Sequence, residues 1–192
     1  LSAVAAPGGA GEVLVNAELR SVVQPRPELA AQERVHFRAR VRMRREAPPK
    51  PKVAFKKPAA KSLGIGREQI YAVYFHGPAY QVLERAAVEG DAVVAMMAAG
   101  LPPNAKPAGA DALAAPRLLE LCFQAAGLWL LAKKQTMGLP TALERATVFR
   151  QAEEAGEKRL YVTVAARGGG GAFDAQVVDE RGFVHAEVVG YR

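Results

Sequence analysis

From residue 34 to residue 44, Val35, Phe37, Ala39, Val41 and Met43 alternate with His36, Arg38, Arg40, Arg42 and Arg44. A period of two sends the two sets to opposite faces of a strand, so the segment predicts a half-buried strand, apolar on one side and basic on the other. Residues 12 to 23 (EVLVNAELRSVV) are also strand-like. The opening LSAVAAPGGAGE has no periodicity and reads as a flexible lead-in. From Pro48-Pro49 to Lys61 the run PPKPKVAFKKPAAK is rich in Pro and Lys and again aperiodic, which predicts a linker or long loop.

After Gly66, REQIYAVYF predicts a short helix or turn that delivers HGPAYQ at residues 76 to 81. Residues 81 to 88 and 92 to 98 predict two strands joined across Glu89-Gly90-Asp91, and residues 100 to 109 a loop. Pro116 suits the first turn of a helix, and no other Pro follows until Pro140. The segment between them is apolar almost all round, the signature of a helix buried in a core. Strands are then expected at residues 143 to 150, 159 to 167, 173 to 178 and 183 to 191, the last two joined across Asp179-Glu180-Arg181-Gly182. The GGGG at 168 to 171 lacks the GxGxxG spacing, opens no helix and reads as a flexible connector. Two strands, a long apolar helix and four more strands make an antiparallel sheet wrapped around a long central helix, the hot-dog fold of the α+β class. The two early strands are surplus to one such domain.

Composition narrows the function classes. Half of the 192 residues are apolar, enough for a sizeable core. There is no initiator Met and no charged leader followed by an apolar run, so the chain reads as a cytoplasmic fragment of something longer. No stretch reaches the ~20 apolar residues of a membrane span. The single cysteine, Cys122, excludes an internal disulfide and a Cys-based zinc site, and in an apolar helix it reads as a packed thiol. The net charge of +7 is concentrated between Arg34 and Arg67, where twelve Lys or Arg face one acid, Glu46. That excess suits an acidic partner, or equally a solvated strand face followed by a basic linker. Nucleic acid finds no support, because no exposed aromatics interleave with the basic residues and no binding motif appears.

The chemistry candidates lie in the apolar helix, PRLLELCFQAAGLWLLAK. Glu120 and Gln124 are four apart, hence neighbours on one face. A buried carboxylate is driven to take up a proton, as a general acid requires, and the Gln124 amide could orient it or hold a substrate hydroxyl. Equally open is a Glu120 on a solvated helix edge or paired with Arg117, three residues earlier. Trp129 and Phe123 face away from Glu120 and are assigned to the core.

His76-Gly77-Pro78-Ala79-Tyr80-Gln81 resembles the HGPxF or YGPxF motif that opens the second hot-dog half of polyketide synthase dehydratase domains. Pro116, Glu120 and Gln124 resemble the helix motif of that family, with Glu in place of its Asp, and DERGFVHAEVVGYR is similar to its closing hairpin. The resemblance spans roughly residues 70 to 192. It implies a double hot dog, with residues 1 to 47 as closing strands of a partial first half, 48 to 66 as the linker and 67 to 192 as the second half. It implies a lyase that converts 3-hydroxyacyl thioesters, carried on the phosphopantetheine of an acyl carrier protein in a polyketide or fatty-acid synthase, into 2-enoyl thioesters. No further cofactor and no metal are implied, the other synthase domains are partners, and a homodimer stays open. Glu120 would be the acid and Gln124 its partner, while His76, Gly77, Pro78 and Tyr80 would bind substrate. The family's base is a His in an HxxxGxxxxP motif of the first half, and none of His36, His76 and His185 has that context. The chain alone is therefore expected to be incomplete or inactive. The alternative is a non-catalytic hot-dog domain that binds acyl chains or scaffolds its synthase.

Overall fold

The computed structural model describes residues 1–9, 11–46, 48–107 and 114–192; the last two positions of the expected loop, 108 and 109, lie outside them. The chain forms two compact units, Leu1–Pro48 and Pro49–Arg192.

The first unit is an antiparallel sheet of β1 (Ser2–Pro7), β2 (Glu12–Val23) and β3 (Gln32–Arg44), in that order. The lead-in is therefore a strand. Its small residues carry almost no alternation signal, yet Ala3 and Ala5 pair with Ala17 and Val15 and complete the β2 ladder. Cross-strand pairs Val13↔Met43, Val15↔Val41 and Leu19↔Phe37 gather the apolar residues on one face. The other face is laced with ion pairs, Glu12 to Arg42 and Arg44, and Glu18 to Arg20 and Arg38. The register follows the expected alternation, but the half-buried strand does not: Phe37 is 67% exposed and Met43 53%. Burying a sheet face takes a second layer, and the described residues of this unit supply none.

The second unit contains β4 (Ile65–Gly66), α1 (Arg67–Tyr71), β5 (Leu83–Glu89), β6 (Ala92–Met97), α2 (Pro116–Lys134), β7 (Arg145–Val148), β8 (Leu160–Arg167), β9 (Ala172–Asp179) and β10 (Val184–Tyr191). Its seven strands run in the order β4-β5-β6-β8-β9-β10-β7, every neighbouring pair antiparallel. The sheet curves around α2, which packs against β5, β6, β8, β9 and β10. This is the hot-dog fold. Leu118, Leu121, Cys122, Ala125, Ala126 and Trp129 of α2 are buried against Leu83, Val93, Val162, Val177 and Val188 of the sheet. Pro116 opens the helix, where its missing N–H is no loss, and Lys133 and Lys134 close it, where their charge suits the dipole.

Two connector readings are corrected. Residues 49 to 66 belong to the second unit. The Val53 N–H donates to the Gly182 carbonyl (2.9 Å) and the Val184 N–H to the Pro51 carbonyl (3.0 Å). Val53 and Phe55 pack on Leu63, Tyr161, Val178 and Val184 across the outer face of the sheet. Lysines and prolines mask those two apolar residues in sequence, and the lysines add ion pairs of Lys50 with Glu154 and of Lys57 with Glu180. The glycine run is a tight β8–β9 turn, its Gly170 N–H bonded to the Arg167 carbonyl at 3.1 Å. Gly170 has φ +91°, and a Cβ there would fall 2.3 Å from the Trp129 ring. Trp129 in turn donates to the Gly90 carbonyl at 3.1 Å.

Candidate active site

Gln124 is the centre of a polar cluster at the N-terminal half of α2. Three per cent exposed, it must satisfy its amide inside the protein. Its Oε1 accepts from the Tyr71 hydroxyl (2.7 Å), and its Nε2 donates to the Tyr80 carbonyl (2.8 Å) and to Glu120 Oε1 (3.0 Å). Turning the amide over would set its oxygen against two acceptors, so the network itself fixes the orientation. The same Tyr71 hydroxyl accepts the Leu83 N–H at 2.8 Å, and the Tyr74 hydroxyl donates to the Gln124 carbonyl at 2.8 Å. Burial pushes Tyr71 up to about 12, an effect that outweighs its bond from Leu83 and the nearby Arg67; burial pushes Tyr74 up as well. Both phenols therefore remain donors across the physiological range. A Cβ at Gly127 would fall 2.6 Å from the Tyr74 oxygen, so only glycine at that helix position lets Tyr74 approach.

Glu120 is not an isolated buried carboxylate. Its side chain is 24% exposed, and Oε1 lies 3.0 Å from His76 Nε2 as well as from the Gln124 amide. Turned away from it, Arg117 donates through Nε to the Ala79 carbonyl (3.1 Å) and through its terminal nitrogen to the Pro102 carbonyl. The i−3 ion pair is thus replaced by a clamp on two loops. His76 stacks on Phe75 (4.8 Å, 13°) and tilts against Tyr74, while its Nδ1 is buried with no partner among the described residues. Its carbonyl accepts from Gln81 (3.1 Å), whose Oε1 accepts from Arg67 (3.0 Å).

The structure thus brings together Glu120, Gln124 and His76, with the backbone of Tyr80. The Tyr80 hydroxyl contacts Asn104 at 3.4 Å, and Gly77 and Pro78 form the exposed start of a 3-10 turn, Pro78–Tyr80. Trp129 is in the core, and Phe123 stacks on Tyr191 (4.7 Å). Sequence reasoning missed Tyr71, Tyr74 and Gly127. The signal was two tyrosines three apart beside Ile70, one ending a short helix and one just beyond it; buried phenols need partners.

The other histidines are elsewhere. His36 Nε2 contacts the Ser21 hydroxyl (2.7 Å) in the first unit, and the wholly buried His185 donates from Nδ1 to the Gln151 carbonyl (3.0 Å). Among the described residues no three His, Cys, Asp or Glu side chains converge as metal ligands, and no helix is long and apolar enough to cross a membrane.

A carboxylate, an amide and an imidazole thus meet beside the central helix of a hot-dog sheet. The family model described as polyketide synthase dehydratase N-terminal domain matches residues 68–192, and the chain belongs to that family. Solved structures share the fold. A trans-AT polyketide synthase dehydratase domain from Brevibacillus brevis aligns with TM-score 0.67 and 20% identity, over 97% of this chain and 66% of that one. The dehydratase domain of the CurF module of curacin polyketide synthase gives 0.68 and 18%, over 99% and 66%. The CurK dehydratase, as an inactive Asp→Asn mutant, gives 0.65 and 15%, over 98% and 65%. The chain therefore spans slightly less than two thirds of the structures it resembles. Comparison with curated proteins finds no match.

Proposed function

We propose that the chain is the greater part of a dehydratase that removes water from 3-hydroxyacyl thioesters carried on the phosphopantetheine of an acyl carrier protein, with Glu120 as the general acid. The observation that carries this reading is the one-sided holding of Glu120. Both its partners, Gln124 and His76, bond Oε1, and no hydrogen bond among the described residues occupies Oε2. A proton on Oε2 can pass to the departing 3-hydroxyl. As a base takes the proton from Cα, the Cα–Cβ double bond forms, the Cβ–O bond breaks, water leaves and Glu120 is left as a carboxylate held by two donors. The resemblance of its helix motif puts Glu120 where the family has Asp.

None of His36, His76 and His185 has the sequence context of the family's base, so this reading leaves the α-proton to a group other than these three. His76 has Nε2 against Glu120, and His185 is buried. The same fact favours a second reading for this chain alone, a silent hot-dog domain that binds acyl chains. We also read the first unit as closing strands of a first half, which its uncovered apolar face supports, and the second unit as the second half.

The test is turnover of a 3-hydroxyacyl pantetheine thioester to the 2-enoyl product by the full-length protein. Glu120→Gln should lower kcat by about 100-fold or more, whereas Glu120→Asp should keep measurable activity. Undiminished turnover by Glu120→Gln would remove Glu120 from the mechanism, and with it this reading.

A further inference from the structure

His76 has a role that its place in the substrate-binding motif did not suggest. Its imidazole faces the α2 carboxylate, with Nε2 3.0 Å from Glu120 Oε1. We infer that His76 is a positioning residue for the acid: together with Gln124 it pins Glu120 Oε1 from two sides and leaves Oε2 as the proton-delivering atom. This inference rests on the dehydratase reading and deepens it.

Three observations carry it. First, Nε2 lies 3.0 Å from the same oxygen that already accepts the Gln124 amide. An oxygen with two donors is held in place, and rotation about the last side-chain bond of Glu120 would break both bonds. Second, Nδ1 is buried and without a partner among the described residues. A buried N–H with nothing to bond is costlier than a buried lone pair, so the ring proton is better placed on Nε2, where it donates to Glu120 Oε1. Third, the ring is held independently of Glu120: Phe75 stacks on one face, Tyr74 tilts against it, and Gln81 holds the His76 carbonyl at 3.1 Å. The donor is thus preset. Gln124 is preset as well, through Tyr71 and the Tyr80 carbonyl.

Two substitutions divide the ring from the donor. His76→Phe keeps an aromatic ring against Phe75 and loses the N–H. His76→Gln loses the ring and keeps an amide donor where Nε2 stands. In the full-length protein, with the pantetheine thioester as substrate, His76→Phe should lower kcat about 10- to 100-fold while KM stays within about threefold. His76→Gln should return kcat to within about threefold of wild type. Melting curves of both variants establish that each is folded, and either one folded alone still decides, since the two make opposite forecasts. A His76→Phe protein with wild-type kcat overturns the inference, as does a folded His76→Gln protein as slow as the Phe variant. Glu120→Gln in the same assay separates the two levels of the argument. Inactive Glu120→Gln beside fully active His76→Phe defeats only the role of His76, whereas active Glu120→Gln, or a wild type without turnover, defeats the dehydratase reading beneath it.

Discussion

Two carboxylates of the second unit, Asp179 and Glu120, are held in opposite ways. Asp179 is fully buried, and both its oxygens are occupied from within its own turn. Oδ1 accepts the N–H groups of Arg181 (2.8 Å) and Phe183 (3.1 Å), and Oδ2 accepts the Arg181 guanidinium through Nε (2.8 Å) and its terminal nitrogen (2.5 Å). Burial alone would push this carboxyl up, but those bonds outweigh it and hold it below its ordinary value. Glu120 is partly exposed, its donors come from the next turn of its helix and from the His76 loop, and both bind one oxygen. A carboxylate with every lone pair engaged holds a turn together and can do nothing else. One with an oxygen left over can give or take a proton.

The contrast breaks if the two respond alike to substitution. Asp179→Ala should cost the largest amount, about 2–4 kcal/mol by thermal or urea unfolding, because it strips two backbone N–H groups and a guanidinium of their acceptor. The pH dependence has a definite sign. A carboxyl held below its ordinary value stabilises the fold above that value, 3.8, and the contribution disappears as the pH falls through the lower, folded-state value. Wild type should therefore lose stability in that acid window, and Asp179→Ala should lose less there. A variant as acid-sensitive as wild type would mean that the turn is held by something else.

A middle effect is expected at Tyr71, which supports the open carboxylate from behind. Tyr71→Phe leaves Gln124 Oε1 and the Leu83 N–H without their partner, at a cost of about 1–3 kcal/mol. It should also reduce turnover, because the Gln124 amide that holds Glu120 is then fixed from its Nε2 side alone.

Glu120→Leu should have the smallest effect on stability, about 1 kcal/mol, its main cost being the lost contact with the partly exposed His76 Nε2. No guanidinium is stranded, since Arg117 is bonded to carbonyls, and Gln124 keeps the Tyr80 carbonyl. A large drop in melting temperature would place Glu120 with Asp179, among the groups that serve the fold.

Much of the second unit was legible because its signals are local. Two polar residues in an otherwise apolar helix mark Glu120 and Gln124, Pro116 marks the helix start, and turn signals beside apolar runs mark β5, β6, β9 and β10. What escaped the sequence depends on neighbours. Period two tells which face of β3 is apolar, but whether Phe37 is covered depends on a layer that the strand does not encode. Val53 and Phe55 look like parts of a lysine-rich linker until the hairpin they pair with is in place. That His76 would face Glu120, and Arg117 would not, is decided by how the loop from Phe75 to Gln81 lies across α2, and no spacing carries that information.

Three carbonyls of that loop are tied down, His76 by Gln81, Ala79 by Arg117 and Tyr80 by Gln124. Residues 76 to 81 therefore do not behave as a lid. Swinging them away from α2 would break the bonds of Ala79 and Tyr80 to the helix and the contact of His76 with Glu120 in one event, a cooperative opening rather than a fast loop fluctuation. This loop and the first turns of α2 travel as one body.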